Sequence, residues 1–203
     1  MKKIINFYDR EDFDNFINFQ KIKTIGSGDE GIAYLVNNDL VIKKIINQHY
    51  DYDINAIITN DDFDLKSFAF PIELYAIDNK LVGYSSKYVP SVINEDDILT
   101  IDFDIFMKAY IQIKKDMQIL NENKIIVKDL LENIVYNNKD LVAIDTCSYE
   151  KGNGIFYDSI AYLDLAIKYL LDNLFNMEEI YNEPTLEKTI IKAKKLQKEL
   201  FYN

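Results

Sequence analysis

The sequence predicts an α+β chain in two lobes, the first built on a five-stranded antiparallel sheet and the second short and helical. Three observations carry this expectation. The first half is a series of short apolar runs separated by turns rich in Asn and Asp. The second half changes to an apolar period of three and four residues. And three of the chain's six glycines, Gly26, Gly28 and Gly31, fall within KTIGSGDEGIAYLV, residues 23–36.

The strands come first. KIKTI and GIAYLV flank the glycine loop, NND (37–39) separates GIAYLV from LVIKKI, and DNK (78–80) separates FPIELYAI from KLVGYSSKYV. Asn and Asp tolerate the positive φ of tight hairpins, so these runs read as a meander. Between the third and fourth strands, NQHYDYDINAIITNDDFD leaves room for one short helix. Then Phe103, Phe106, Met107, Tyr110, Ile113, Met117 and Leu120 form one helical stripe. Ile134–Tyr136 and Leu141–Ala143 bracket NNKD as another hairpin. YDSIAYLDLAIKYLLDNLF reads as a buried helix, and Pro184 opens a last one. Pro90 and Ser91 suit a linker, which gives an N-terminal extension at 1–19, a first lobe at 20–89 and a second at 90–203. FYDREDFDNFINF in the extension has the pattern of a short amphipathic helix packing on the first lobe.

Composition narrows the function classes. The chain of 203 residues carries a net charge of −11, which repels nucleic acid and anionic membrane alike. No apolar run is long enough to span a bilayer, and MKKIINFYDRED lacks the apolar core of a secretory signal. The single cysteine, Cys147, forms no internal disulfide, which suits a reducing compartment. A cytoplasmic protein is the expectation, with delivery elsewhere as an effector left open. The lone His49 with Cys147 makes no zinc ligand set.

Gly26-x-Gly28-x-x-Gly31 lies between two strands and not at the start of a helix, which argues against a dinucleotide fold. Without side chains a backbone can approach an anion and aim its N–H groups at it. On the loop alone, a phosphate-covering flap and a ligand-free glycine hairpin are both open. LVIKKI follows. Alternation puts Val41 and Lys43 on one strand face and Ile42 and Lys44 on the other. A lysine inside an apolar strand can neutralise phosphate oxygens, or it can be an ordinary surface lysine; Lys44 reads as the latter.

These residues give the chain a resemblance to the protein-kinase superfamily in a small bacterial form, over roughly residues 20 to 175, with motifs in the family's order. IGSGDEGIAY resembles the glycine-rich loop, with Gly26, Ser27, Gly28 and Gly31 over the phosphates beside Val41. LVIKKI resembles the third-strand lysine segment, which makes Lys43 the phosphate-pairing lysine. SKYV resembles the hinge, with backbone of Lys87 and Val89 toward adenine and Ser86 in the gatekeeper place. VKDLLENIVYN resembles the catalytic loop, and LVAIDTCSY the metal-binding segment. The resemblance implies a two-lobed kinase-like fold with a reduced helical lobe. It also implies ATP and Mg²⁺ as cofactors, Asp129 as the base toward the acceptor hydroxyl, and Asn133 and Asp145 as metal ligands.

The match departs from the pattern in several places. Asn133 lies four residues after Asp129, one fewer than in H-R-D-x-x-x-x-N. Either the loop is shorter and converges, which Leu130 after Asp129 favours, or Lys128 takes the aspartate place and the protein is a pseudokinase. Val127-Lys128 replaces His-Arg, Asp145-Thr146-Cys147 replaces D-F-G, and no A-P-E segment follows. No glutamate stands where the helix-borne partner of Lys43 belongs, and Asp53 is the nearest substitute. The expected activity is phosphoryl transfer to a protein hydroxyl or to the protein itself. The alternative is a catalytically inactive kinase-like module that binds a protein partner, with or without nucleotide.

Overall fold

The computed structural model describes residues 2–47, 52–91, 98–152, 159–175 and 182–202. By its contacts the chain divides into two units. The first comprises Met1–Leu65, Ala69–Val89 and Asp145–Lys151; the second comprises Lys66–Phe68, Pro90–Ile144 and Gly152–Asn203.

The first unit is a sheet of β1 (Lys3–Asn6), β2 (Lys23–Ser27), β3 (Gly31–Asn37), β4 (Leu40–Ile45), β5 (Pro71–Ile77) and β6 (Lys80–Lys87), with helix α1 (Arg10–Gln20). The strand order is β1-β5-β6-β4-β3-β2. The expected five-stranded antiparallel sheet is therefore six-stranded and mixed, because β1 joins β5 in parallel, with Ile4 opposite Leu74. The other pairings are antiparallel. The β5–β6 turn has φ 49° at Asp78 and 62° at Asn79, the two positive values that a tight hairpin demands and that Asp and Asn tolerate.

Both faces of this sheet are covered, which is why its strands read as nearly continuous apolar runs. On one face α1 packs Phe13 and Ile17 onto Ile42, Tyr75 and Val82. Phe7, Phe13, Phe16 and Tyr75 interlock there with ring centroids 5.0–6.5 Å apart. The helix starts where Asp9 accepts from Asp12 N–H at 2.9 Å while Asp12 accepts from Tyr8 N–H at 3.2 Å, a reciprocal cap. On the other face Ile45, Leu74, Ala76, Leu81 and Tyr84 pack with Ile54, Ile57 and Cys147. Residues 52–64, where a short helix had room, form turns around a bridge between Ile57 and Glu150. Residues 48–51 of that stretch lie outside the described residues.

The second unit holds α2 (Phe103–Glu122), α3 (Ser159–Phe175), α4 (Leu186–Tyr202) and a hairpin. The short strand β7 (Ile125–Ile126) precedes that hairpin of β8 (Ile134–Tyr136) and β9 (Leu141–Ala143). One more short strand, β10 (Glu150–Lys151), closes the segment that belongs to the sheet unit. Asp102 caps α2 by accepting from the N–H groups of Asp104 and Ile105. The predicted stripe of α2 is the buried one: Phe103, Phe106, Ile113, Met117 and Leu120 are all within the core. Phe106 meets Tyr136 edge-on at 5.0 Å and Phe103 stacks on Phe175 at 6.3 Å. Asp116 is buried and accepts from Ser67 N–H at 3.1 Å and Gln112 at 2.8 Å, so the carboxylate is not left bare. Among the described residues no helix is long and apolar enough to cross a membrane.

Candidate functional site

The site in the sheet unit is built on β4. Ile42 points into the α1 face and is fully buried, and Lys44 reaches Asp14 of α1 on that same face. Lys43, one residue along, therefore lies on the opposite face, where β6 sets Tyr84 directly across from it. There its ammonium donates to Asp145 Oδ2. The second Asp145 oxygen, Oδ1, accepts from the Tyr84 hydroxyl. Burial first, and the Asp145 charge second, push the Tyr84 hydroxyl well above its ordinary range, so it stays protonated and remains a donor.

Asp145 stands in the left-handed region, φ 54° and ψ 41°, just before a 3₁₀ turn over Thr146–Ser148. An aspartate adopts that conformation more readily than most residues. The turn is anchored where the Thr146 hydroxyl donates to Ala69 O at 3.1 Å. Cys147 faces the core, and burial, with Asp145 next, drives its thiol pKa up, so it behaves as a small apolar residue.

The glycine loop neighbours this pair, and its Glu30 lines the same cavity. The Gly28 N–H donates to Gly31 O at 3.0 Å, and the N–H groups of Ile46 and Asn47 both donate to Glu30 O, at 2.8 and 3.4 Å. A Cβ at Gly31 would lie 2.2 Å from the Lys44 carbonyl oxygen, whereas one at Gly28 would meet nothing within 4 Å. Gly26 sits where the β2–β3 register shifts, and Ser27 pairs with Ile32. The cavity lined by Glu30, Lys43, Tyr52, Tyr84, Asp145 and Cys147 is about 10 Å³, the room of a single water.

Lys43 has a second acid beside it: Glu30, from the loop, at 3.5 Å. Asp53, the substitute partner expected from sequence, instead accepts from Asn55 N–H at 3.0 Å and lines another cavity, with Ile4, Asn6 and Asn79. The sequence reading missed Glu30 and Tyr84. Tyr84 had a usable signal, since the hairpin registers place it opposite Lys43. At the strand end Lys87 pairs with Leu40, Val41 with Ser86, and the Tyr88 N–H donates to Asp39 O at 2.8 Å. Val89 follows, half-buried.

Asp129 and Asn133 belong to the helical unit. Asp129 is also left-handed, with φ 51°, and the Asn133 amide donates to its carbonyl at 2.6 Å. The Leu130 N–H donates to the Tyr162 hydroxyl of α3 at 3.0 Å, and Ile144 N–H to Asn133 O at 2.8 Å. These bonds hold a loop with only three residues between Asp129 and Asn133. The Asn133 amide nitrogen is thus engaged within its own loop.

Mg²⁺ is held through one or two carboxylates together with phosphate oxygens and water, not by an all-protein cage. Among the described residues no group of three or more His, Cys, Asp and Glu is arranged to hold a metal. The Asp145 carboxylate in the sheet unit and the Asn133 side-chain oxygen in the helical unit are each hard oxygen donors of the kind such a metal takes.

No protein-family model matches the chain, and no curated protein matches it in sequence. Among solved structures it is similar to a Legionella pneumophila kinase with IP6 bound, at 16% identity and a TM-score of 0.44. The alignment covers 75% of this chain and 60% of that kinase.

Proposed function

We propose that the chain is an ATP- and Mg²⁺-dependent phosphotransferase of the protein-kinase-like type, acting on a protein hydroxyl or on itself. The observation that carries this is the ion pair between Lys43 and Asp145 beside the glycine loop, with a buried tyrosine fixing the carboxylate. An ammonium and a carboxylate side by side next to a glycine loop suit phosphoryl transfer, which needs positioning and charge neutralisation more than covalent help.

In this reading Lys43 holds the α- and β-phosphates, and the backbone of Gly26, Ser27, Gly28 and Gly31 covers them. Backbone groups of Lys87 and Val89, with the Val41 side chain, receive the base. Asp145 and Asn133 would hold Mg²⁺, which when bound neutralises charge on the phosphates. Asp129 orients the acceptor hydroxyl and takes its proton as the hydroxyl oxygen bonds to the γ-phosphorus and the bond to the β–γ bridging oxygen breaks.

A second reading is a kinase-like module that binds a protein partner without catalysis. It is favoured by the water-sized cavity at Lys43 and by the engagement of both Asp145 oxygens.

Two measurements separate these. ATP with Mg²⁺ is expected to raise the melting temperature by mass action. Transfer of labelled γ-phosphate to the protein or to an added acceptor is expected from the wild type and lost in Asp145→Asn. Stabilisation without transfer would favour the binding module, and neither effect would end both nucleotide readings.

A further inference from the structure

We propose that Glu30, carried on the glycine loop, is the positioning residue that holds the Lys43 ammonium. This rests on the phosphotransferase reading of the same site. The loop is built so that Glu30 has little choice of place. Its carbonyl accepts N–H donors from Ile46 and Asn47, the two residues after β4, and Asp29 O accepts from the Asn47 amide at 2.7 Å. Gly31 then descends so close to the Lys44 carbonyl that a side chain there has no room. The backbone is thereby pinned to the same strand that bears Lys43, and the Glu30 carboxylate lies 3.5 Å from the ammonium.

The chemistry explains why a second acid is needed. Asp145 is the only other acid paired with Lys43 among the described residues, and its Oδ2 accepts from the ammonium. A carboxylate that turns to a cation leaves the ammonium. Glu30 is then the charge that keeps Lys43 in register with incoming phosphates. The Glu30 side chain is 43% exposed and that of Lys43 only 17%, so the acid meets an enclosed ammonium from the solvent side.

Glu30→Gln removes the charge at nearly constant shape, and Glu30→Asp restores it one methylene back. Two readouts are taken. The first is acylation of Lys43 by a small amine-reactive reagent, quantified by peptide mass mapping without nucleotide or acceptor. Glu30→Gln is expected to speed labelling about two- to five-fold, the scale of a part-exposed ion pair, with Glu30→Asp near wild type. The second is steady-state transfer. Glu30→Gln is expected to lower kcat about ten-fold or more while KM for ATP changes less than about three-fold, because orientation is lost and not binding.

Unchanged labelling in Glu30→Gln would overturn the proposal. So would tighter ATP binding, measured by calorimetry, since it would make Glu30 a competitor of phosphate. A wild type that binds no ATP ends the phosphotransferase reading and, with it, this role in transfer; the labelling comparison still shows whether Glu30 holds Lys43.

Discussion

Gly28 and Gly31 stand three residues apart in one loop and meet different physics. At Gly31 an added methyl would sit 2.2 Å from a strand carbonyl, so the backbone of β3 or β4 must move; at Gly28 the space is open. Gly31→Ala is expected to cost about 1–3 kcal/mol, the scale of an overpacked site, and Gly28→Ala to stay within about 0.5 kcal/mol. Urea midpoints of the two variants test this, and equal midpoints would refute the steric account. Neither glycine has a positive φ, so what Gly31 supplies is closeness and not a left-handed turn. The sequence shows the same limit. Alternation along LVIKKI placed Lys43 and Lys44 on opposite faces, because a strand's period is local. The pairing of Glu30 with Lys43 was not legible, because it depends on where a turn sets a carboxylate. Asp53 was the nearest acid by pattern, yet it serves its own turn.

At the scale of elements, the strands and helices written as local patterns were recovered: the hairpin of β8 and β9, the stripe of α2, and the turn at Asp78–Asn79. The sixth strand was not, since KIIN is short and its partner is β5, some seventy residues away, in parallel. Local pattern cannot name such a partner. The consequence is energetic as well as topological. Residues ahead of the glycine loop bring β1 and α1, and Phe13 is fully buried against Ile42, Tyr75 and Val82. Its ring also lies against the backbone of Gly83, where a Cβ would come 2.7 Å from Phe13 Cζ. Phe13→Ala is expected to destabilise by about 3–5 kcal/mol. Removing residues 1–20 is expected to expose the α1 face of the sheet and leave a chain that aggregates. Chemical denaturation of the first variant and light scattering of the truncation are the checks, and a stable, soluble truncation would show that α1 is dispensable.

At the scale of the whole molecule, buried tyrosines link stability to alkaline pH. Among the described residues Tyr75, Tyr84, Tyr110 and Tyr136 all have hydroxyl pKa values raised, in each case by burial first. Tyr136 is pushed up to about 12 from 10.0, with Asp102 and Asp140 adding to burial. Cys147 is raised above its ordinary 9.0 for the same reason. The unfolded chain releases these protons first as pH rises. Above the unfolded values it therefore binds fewer protons than the native state, and stability falls with increasing pH. Their neutral forms' contribution is intact below about pH 9 and is lost through the alkaline range as pH climbs toward the folded values. A sealed group such as Tyr84 can supply up to about 1.4 kcal/mol per pH unit, and a part-exposed one such as Tyr110 supplies less because solvent screens it. The net charge of −11 also grows in this range, and its self-repulsion would act in the same direction. Salt separates the two, because it screens surface repulsion and leaves buried desolvation nearly untouched. Urea midpoints are expected to be flat from pH 7 to about 9 and then to drop steeply even in high salt. Tyrosinate absorbance should lag in the native protein and jump on unfolding. A drop that high salt abolishes, or tyrosines that titrate alike in folded and unfolded chains, would show that the hydroxyls are not sealed in the core.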